Sequence, residues 1–468
     1  MRMTIAARSM RRKASTYTAL PGASFHGASV EAMVAAAASG NWDPPPLPEI
    51  VADAMLAANM PQFNASSMGR QMRDAHFKLD PSWTFVNHGA FGAPSAVSMD
   101  VAAAWRQHAE RQPLRFIDRE LFAHLVESHR SVAKWIGADS PEQLVLVSNA
   151  TAGLNVVIAS VVRKTLCAED EVLLLDVGYG SVRTMVEHAC RQSGAKPVVL
   201  SLADHLPESA LSEELLSRVS AAISPRTRLA IFDDITSNHA LSLPVTQLCA
   251  LCDENGVPCL IDAAHGVGSR PVAQLPYLSS EFAQARPAFC VGNLHKWANA
   301  PRGAAFLWAR DEEHRQLLEP PIISHGFGAG FASSFIWQGA NDYSSMLALP
   351  AVIEWWGQSG MRTSVQYQQR LLAEAVQILG EAWETGPLIV PAPNNNMALV
   401  RLPELGAVPG HEDGPVTGKL VQDALHFAHN VECPVKTLQG NLYVRISAAA
   451  YNTLEDYVHL ANAVGAMR

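Results

Sequence analysis

A chain of 468 residues, 48% hydrophobic and 17% charged, has the composition of a soluble globular protein with a large core and room for two or three domains. A net charge of −9, with no dense basic cluster beyond the N-terminal arm, argues against nucleic acid as a partner. No apolar run approaches the roughly 20 residues that span a bilayer; the best, Leu154 to Val162, is interrupted by Asn155 and Ser160.

Residues 1–75 read as an N-terminal arm. Arg2, Arg8, Arg11, Arg12 and Lys13 all precede the first acidic residue, Glu31, with Ser, Thr and Ala between them. Two readings stand: an organellar transit peptide or a disordered basic arm. The expected location is therefore cytoplasmic or mitochondrial. Asn41 to Pro48 is a proline-stiffened linker that cannot be helical, and Pro48 to Asn59 fits an amphipathic helix.

The folded body is expected from Leu79. Trp83 to Pro94, which contains Asn87-His88-Gly89-Ala-Phe-Gly92, reads as a strand running into a glycine-punctuated turn. Helices are predicted over Ser95–Glu110 and about Arg119–Ile136. A regular alternation then begins. Strands fit 143–147, 171–177, 196–202, 228–235, 257–262, 288–291 and 304–308, and helices fit 152–163, 182–193, 208–223 and 245–255. Continuous apolar strands separated by helix-length segments describe a mostly parallel sheet covered on both faces. Such sheets bind ligands beyond the carboxyl ends of their strands.

After Gly326 the pattern changes. Helices fit 346–356, 363–383, 417–427 and 454–467, and shorter strands fit 397–402, 431–436 and 442–446. The organisation is then an arm (1–75), a large domain (76–325, whose residues 76–140 also contribute to the small domain or an interface) and a small C-terminal α+β domain (326–468). The seven cysteines lie in apolar contexts, which points to a reducing compartment rather than a disulfide framework. Cys249-Ala-Leu-Cys252 lacks a second pair, so no metal site is expected.

The chemistry centres on Cys290-Val-Gly-Asn293-Leu-His295-Lys296-Trp297. A lysine in a polar turn between apolar strands, boxed by amide and aromatic neighbours, is not surface chemistry. We read Lys296 as forming a Schiff base with pyridoxal 5′-phosphate (PLP). That cofactor also needs an acid at its ring nitrogen, N–H groups for its phosphate and a flat partner for its ring. Asp262, ending the apolar strand Val257 to Asp262, supplies the acid, the alternative being a cap for the turn at Ala263 to Gly266. Ser148-Asn-Ala150-Thr151-Ala-Gly153 opens a helix directly after a strand, where bare N–H groups point outward. Tyr179, between Gly178 and Gly180, either lies flat on a ring or packs into its turn. Asp233 to His239, which includes Ser237, brings polar residues to the same edge. Arg445, inside the apolar strand Leu442 to Ile446, wants a carboxylate, either from a substrate or from a structural salt bridge.

Together these residues resemble the class V aminotransferase family of fold-type I PLP enzymes, and within it the branch of isopenicillin N epimerases, cysteine desulfhydrases and ergothioneine C–S lyases. The resemblance runs from about Phe85 to the C-terminus. It is carried by Val86 to Gly92, Ser148 to Asn155, Ile261 to Gly266, Gly292 to Trp297 and Val444 to Thr453. It implies an α/β fold with a mostly parallel seven-stranded sheet flanked by helices. It assigns the cofactor lysine to Lys296, the ring-nitrogen acid to Asp262, the ring hydroxyl to His265 and the stacking ring to Tyr179. Ala150, Thr151, Ser237, Asn293 and His295 join the cofactor-binding set. A homodimer with shared sites is implied, Gly339 and Ala340 approaching the phosphate from the partner subunit. Asn87, His88 and Arg445 would frame an amino-acid substrate. One departure from the family pattern is Gln338 to Asn341, where relatives often carry threonine or arginine.

To act as base, Lys296 must have its pKa pulled from about 10.4 toward roughly 7–8. The expected reaction is C–S β-elimination from cysteine or an S-substituted cysteine or its sulfoxide, giving pyruvate and ammonia. The alternatives are epimerisation, cysteine desulfuration, for which Cys433 is the nearest thiol, and a PLP-less binding protein.

Overall fold

The computed structural model describes residues 27–57, 63–208, 212–270, 274–281, 285–406 and 416–468. The basic residues of the arm lie outside that set. The strands are β1 (Thr84–Phe85), β2 (Leu144–Val147), β3 (Glu171–Leu175), β4 (Lys196–Leu200), β5 (Thr227–Asp233), β6 (Cys259–Asp262), β7 (Phe289–Asn293), β8 (Ala305–Ala309), β9 (Met397–Arg401), β10 (Val431–Glu432), β11 (Val435–Leu438) and β12 (Asn441–Ser447).

Seven of them form the large sheet in the order β2-β8-β7-β6-β5-β3-β4. Only β8 runs against its neighbours. β2, β3, β6, β7 and β8 are buried along their whole length, which is why they read as unbroken apolar runs. β4 is the exception. It is an edge strand that opens with Lys196-Pro197, and both residues discourage pairing with another chain. Because β2, β3, β5, β6 and β7 share one direction, Ser148, Asp176, Asp233, Asp262 and Asn293 come to one edge of the sheet.

A three-stranded antiparallel sheet, β11-β12-β9, builds the small domain. The strand expected over 431–436 is broken in two. Pro434 has no N–H to continue a ladder, so β10 pairs in parallel with β1, while β11 turns to β12. The two helices expected around residue 360 are one element, Leu349–Trp383, interrupted at Gly357 (φ 51°, ψ 178°). Its first part packs Val352, Trp355 and Trp356 into the main core, and Leu371, Leu372 and Leu379 into the small-domain core.

In the arm, the helix expected over Pro48–Asn59 is present as Glu49–Ala57, whereas Gly27–Ala38 is a further helix that was not expected; Val30, Val34 and Val51 are buried in the main core. Glu31 Oε1 accepts the backbone N–H of Ser333 at 2.7 Å, and Trp42 Nε1 donates to Glu127 at 3.0 Å. An alanine-rich segment carries too weak a periodicity to show this packing in advance. No described helix is long and apolar enough to cross a membrane.

Candidate active site

Lys296 lies in the connection from β7 to β8, at the sheet edge where the strand ends gather. The connection is buried, and its backbone is satisfied locally: Leu294 N–H donates to Ala304 O at 3.1 Å and Asn299 N–H to Lys296 O at 3.0 Å. Trp356 Nε1 donates to Ala298 O at 3.0 Å, which ties the loop to the long helix. Such a buried loop is stable only with this full set of partners.

The segment Asn87–Ser95 clamps it from the other side. Gly92 (φ 68°) sits so close that a Cβ there would overlap the His295 carbonyl oxygen and the Lys296 Cα. Asn299 Nδ2 donates to Ala93 O at 2.8 Å. His88 Nε2 bonds to Lys296 O at 3.0 Å, so the proton is on Nε2, and Nδ1 accepts from Tyr451 Oη at 2.8 Å. Burial pulls His88 down to about 4 and keeps it neutral. His88 was expected to frame a substrate. Its ring is instead spent holding the lysine backbone, and it is absent from the cavity wall.

In front of the lysine is a cavity of 540 Å³, a size ordinary for a small-molecule site. Asn87, Ala150, Thr151, Tyr179, Ser237, Asp262, His265, Asn293, His295, Lys296 and Arg445, all singled out from the sequence, line it. Gly339 and Ala340 do not. Ala340 faces a second hollow, with Trp105, Arg106 and Asp342.

The lysine is 8% exposed, and its Nζ is 3.0 Å from His265 Nε2. Trp297 Nε1 donates to His265 Nδ1 at 3.2 Å, so the neutral imidazole carries its proton on Nε2 and points it at the amine. Only an unprotonated amine can accept it. Burial, and then the charge of Arg445, pull Lys296 down to about 8 against the opposing pull of Asp262 and Asp233, which brings the neutral form close to neutral pH.

Asp262 and Asp233 stand in register on neighbouring strands, both buried. Burial lifts Asp262 to about 6, although its Oδ1 accepts the Ala264 N–H at 2.9 Å. Burial and the nearby Asp262 raise Asp233 well above the usual carboxylate range. Asp233 is the chief residue that sequence reasoning passed over as a site group. Its signal was the same as that of Asp262, an acid at the end of an apolar strand.

Asn149 caps the helix Ala150–Thr165 through Ala152 N–H at 2.9 Å, and Asn293 Oδ1 holds the Ala150 N–H at 2.9 Å. Tyr179 stands at the rim, 42% exposed. Arg445 reaches in from β12, 3% exposed. It donates to Ser237 O at 2.5 Å and to Asn87 Oδ1 at 2.9 Å. Its Nε has no partner, and among the described residues no carboxylate pairs with it.

A family model described as aminotransferase class-V matches residues 117–460. The chain belongs to the class V aminotransferase family. It is 27% identical over 414 residues to a probable chloroplastic L-cysteine desulfhydrase of Arabidopsis thaliana, covering 83% of each. It is 28% identical over 407 residues to the isopenicillin N epimerase of Streptomyces clavuligerus, covering 83% of this chain and 96% of that one. The solved structure of the cystine C–S lyase C-DES with cysteine persulfide superposes with a TM-score of 0.67 at 16% identity, over 83% of this chain and 98% of that one. That likeness shows the fold.

The residues present fit the cofactor of class V aminotransferases. A buried lysine and two buried carboxylates share the cavity with a helix N-terminus of small residues. His295 Nδ1 is a buried polar atom without a partner at the same wall. The motif Val86 to Gly92 is explained as well. Asn87 holds Arg445, His88 and Gly92 hold the lysine loop, and Gly89 N–H donates to Ser447 Oγ at 3.0 Å beside β12.

Proposed function

We propose that this class V aminotransferase is a PLP-dependent C–S lyase acting on cysteine or an S-substituted cysteine or sulfoxide. The observation that carries the reading is Arg445, a buried guanidinium with no carboxylate partner among the described residues, facing the cavity that holds Lys296 and Asp262. A buried arginine left unpaired by the protein is suited to the carboxylate of an amino acid.

When bound, PLP withdraws electrons from Cα and makes its proton acidic. Lys296 would hold the cofactor, Asp262 would face its ring nitrogen and His265 its ring hydroxyl. Tyr179 would lie against the ring, and Ala150, Thr151, Ser237, Asn293 and His295 would bind it, mostly at the phosphate. Arg445, oriented by Asn87 and Ser237, would hold the substrate carboxylate and so fix Cα near Lys296. The Lys296 amine, neutral near pH 8, takes the Cα proton and is then placed to protonate the departing sulfur. Loss of hydrogen sulfide from cysteine, of a thiol from an S-substituted cysteine or of a sulfenic acid from its sulfoxide, followed by hydrolysis, gives pyruvate and ammonia.

A desulfurase needs a protein thiol that reaches the substrate. Cys433 is 1% exposed in the small-domain core, its Sγ 3.7 Å from the Arg445 carbonyl oxygen, and burial pushes its pKa far up. That favours elimination, which needs no such thiol. Epimerisation is the second reading, favoured by the similarity to isopenicillin N epimerase over nearly all of its length. The partner reading is a homodimer in which the Gly339–Ala340 turn of one subunit completes the phosphate site of the other. The basic, acid-poor residues before Glu31 are read as a targeting segment, in keeping with the chloroplastic name of one relative.

The test is a visible absorption band on adding PLP, absent in Lys296→Ala, together with pyruvate and ammonia from L-cysteine or its S-substituted sulfoxides. Lys296→Ala should lose about 10³-fold or more in turnover. No band in the wild type sinks the enzyme reading. Deuterium exchange at Cα without pyruvate moves the assignment to epimerase.

A further inference from the structure

Arg445 is not the only cation that the small domain turns toward the cavity. Lys436 lies on β11, two residues after Pro434. Arg445 N–H donates to Pro434 O at 2.9 Å, so Arg445 stands opposite Pro434 across the β11–β12 ladder. Residues two apart on a strand share a face. Pro434, Lys436 and Arg445 therefore sit on one face, with Lys436 and Arg445 as diagonal neighbours, about 7–8 Å apart at the backbone. All three line the cavity.

Two cations on one half-dry face repel. Among the described residues no carboxylate pairs with either. Lys436 is half-buried, and its pKa is lowered by burial and then by Arg445, with no acid opposing the shift. The cavity acids, Asp233 and Asp262, stand by Lys296 and exert their pull there. Nor would the cofactor phosphate fill the gap if it is held, as proposed, at Ala150, Thr151 and His295. His295, at the phosphate wall, feels the charges of Lys296 and Arg302, whereas Lys436 feels Arg445 and acts on His239. One substrate carboxylate satisfies one of the two cations.

We propose that Lys436 is a specificity-determining residue: together with Arg445 it forms a two-cation subsite, so that among cysteine-type amino acids the enzyme prefers those that carry a second anionic group, a carboxylate, sulfinate or sulfonate, on the side chain. The proposal rests on the reading of Arg445 as the α-carboxylate partner. It calls for no covalent step; Lys436 contributes by binding the second anion.

The experiment uses holoenzyme and follows the visible band of the lysine-linked cofactor during titration. The probes are L-aspartate against L-asparagine and L-glutamate against L-glutamine, pairs matched in shape and different in charge. The wild type should bind the better acid at least about tenfold more tightly than its amide, a factor typical of one close charge pair. Lys436→Met should bring that preference to within about twofold while leaving the amides unchanged, and Lys436→Arg should keep it. Arg445→Met should weaken acid and amide alike. The proposal is overturned if the wild type binds acid and amide equally, binds neither acid, or loses both alike in Lys436→Met. Failure of the underlying reading has a separate signature, unchanged binding of all four probes in Arg445→Met.

Discussion

Two arginines, Arg445 buried and Arg270 largely so, lie close to the end of β5, and the chain treats them in opposite ways. Arg270 meets a carboxylate of its own. Its two terminal nitrogens donate to the two oxygens of Asp234 at 2.8 and 2.5 Å, and Tyr277 Oη adds a third bond to Asp234 at 2.9 Å. The pairing with Asp234 holds the guanidinium charge and raises its pKa although burial opposes it. Arg445 meets a carbonyl, a hydroxyl and an amide oxygen but, among the described residues, no carboxylate, and burial draws it down to about 10. The acids differ in the same way. Asp234 is fully buried and paired, whereas its sequence neighbour Asp233 faces the cavity beside another carboxylate, and burial pushes its pKa up. A charge the fold has neutralised holds elements together. A charge left open at the cavity weakens the fold and serves a ligand.

Breaking the paired arginine gives the largest effect on the fold. Arg270→Met leaves Asp234 buried with one partner, the Tyr277 hydroxyl. It should destabilise the protein by about 3–5 kcal/mol, seen as a lower midpoint in denaturant. Arg270→Met together with Asp234→Leu should recover much of that loss, because no lone charge remains. A single variant as stable as the wild type would remove the contrast.

Breaking the open arginine should do the reverse. Arg445→Met should leave the unfolding midpoint unchanged or higher, yet weaken amino-acid binding by about 2–5 kcal/mol, measured by the same cofactor titration. It has a second signature in pH. Arg445 contributes to the depression of Lys296, so its removal raises the lysine pKa above about 8. The neutral amine, the form that captures PLP, then appears only at higher pH. The rate at which apoenzyme combines with PLP should rise through a midpoint near pH 8 in the wild type and through a higher one in Arg445→Met.

Gly92→Ala tests the clamp rather than either charge. The residue is left-handed and touches the lysine backbone. Strain and overlap together should cost about 1–3 kcal/mol of stability and loosen cofactor binding. Unaltered PLP affinity and midpoint would mean that the loop yields freely there.

The contrast also explains what could be read from sequence. Sheet strands such as Leu144–Val147 and Phe289–Asn293 are dry on both faces, so their apolar runs announce themselves, and Lys296 and Asp262 stand out against them as charges at strand ends. Arg270 and Arg445 are both arginines among apolar neighbours, and only their partners tell them apart. Those partners lie far away in the chain: Arg270 to Asp234, Arg445 to Asn87. Lys436 was silent because a half-exposed lysine on a short strand is ordinary until its neighbour across the ladder is known. His88 was legible as part of a motif but not in its direction, which depends on Tyr451. The helix Gly27–Ala38 was missed because it packs on segments distant in the chain, the helices Leu121–Ile136 and Phe331–Ile336, and its own pattern is nearly uniform.

The smallest expected effect is the most specific. Trp297 acts through His265, and its indole sets the state of the lysine. By donating to His265 Nδ1 it forces the imidazole proton onto Nε2, where it meets Lys296. In Trp297→Phe that constraint is gone and His265 can offer a bare Nε2 instead. A bare nitrogen accepts from the protonated amine and stabilises it, so the lysine pKa should rise. One hydrogen bond of about 1 kcal/mol sets the scale, a shift of somewhat under one pH unit. The midpoint for PLP capture should move up by that amount with the unfolding midpoint nearly unchanged. A midpoint that stays in place, or moves down, would show that His265 keeps its tautomer without the tryptophan and that the indole serves packing alone.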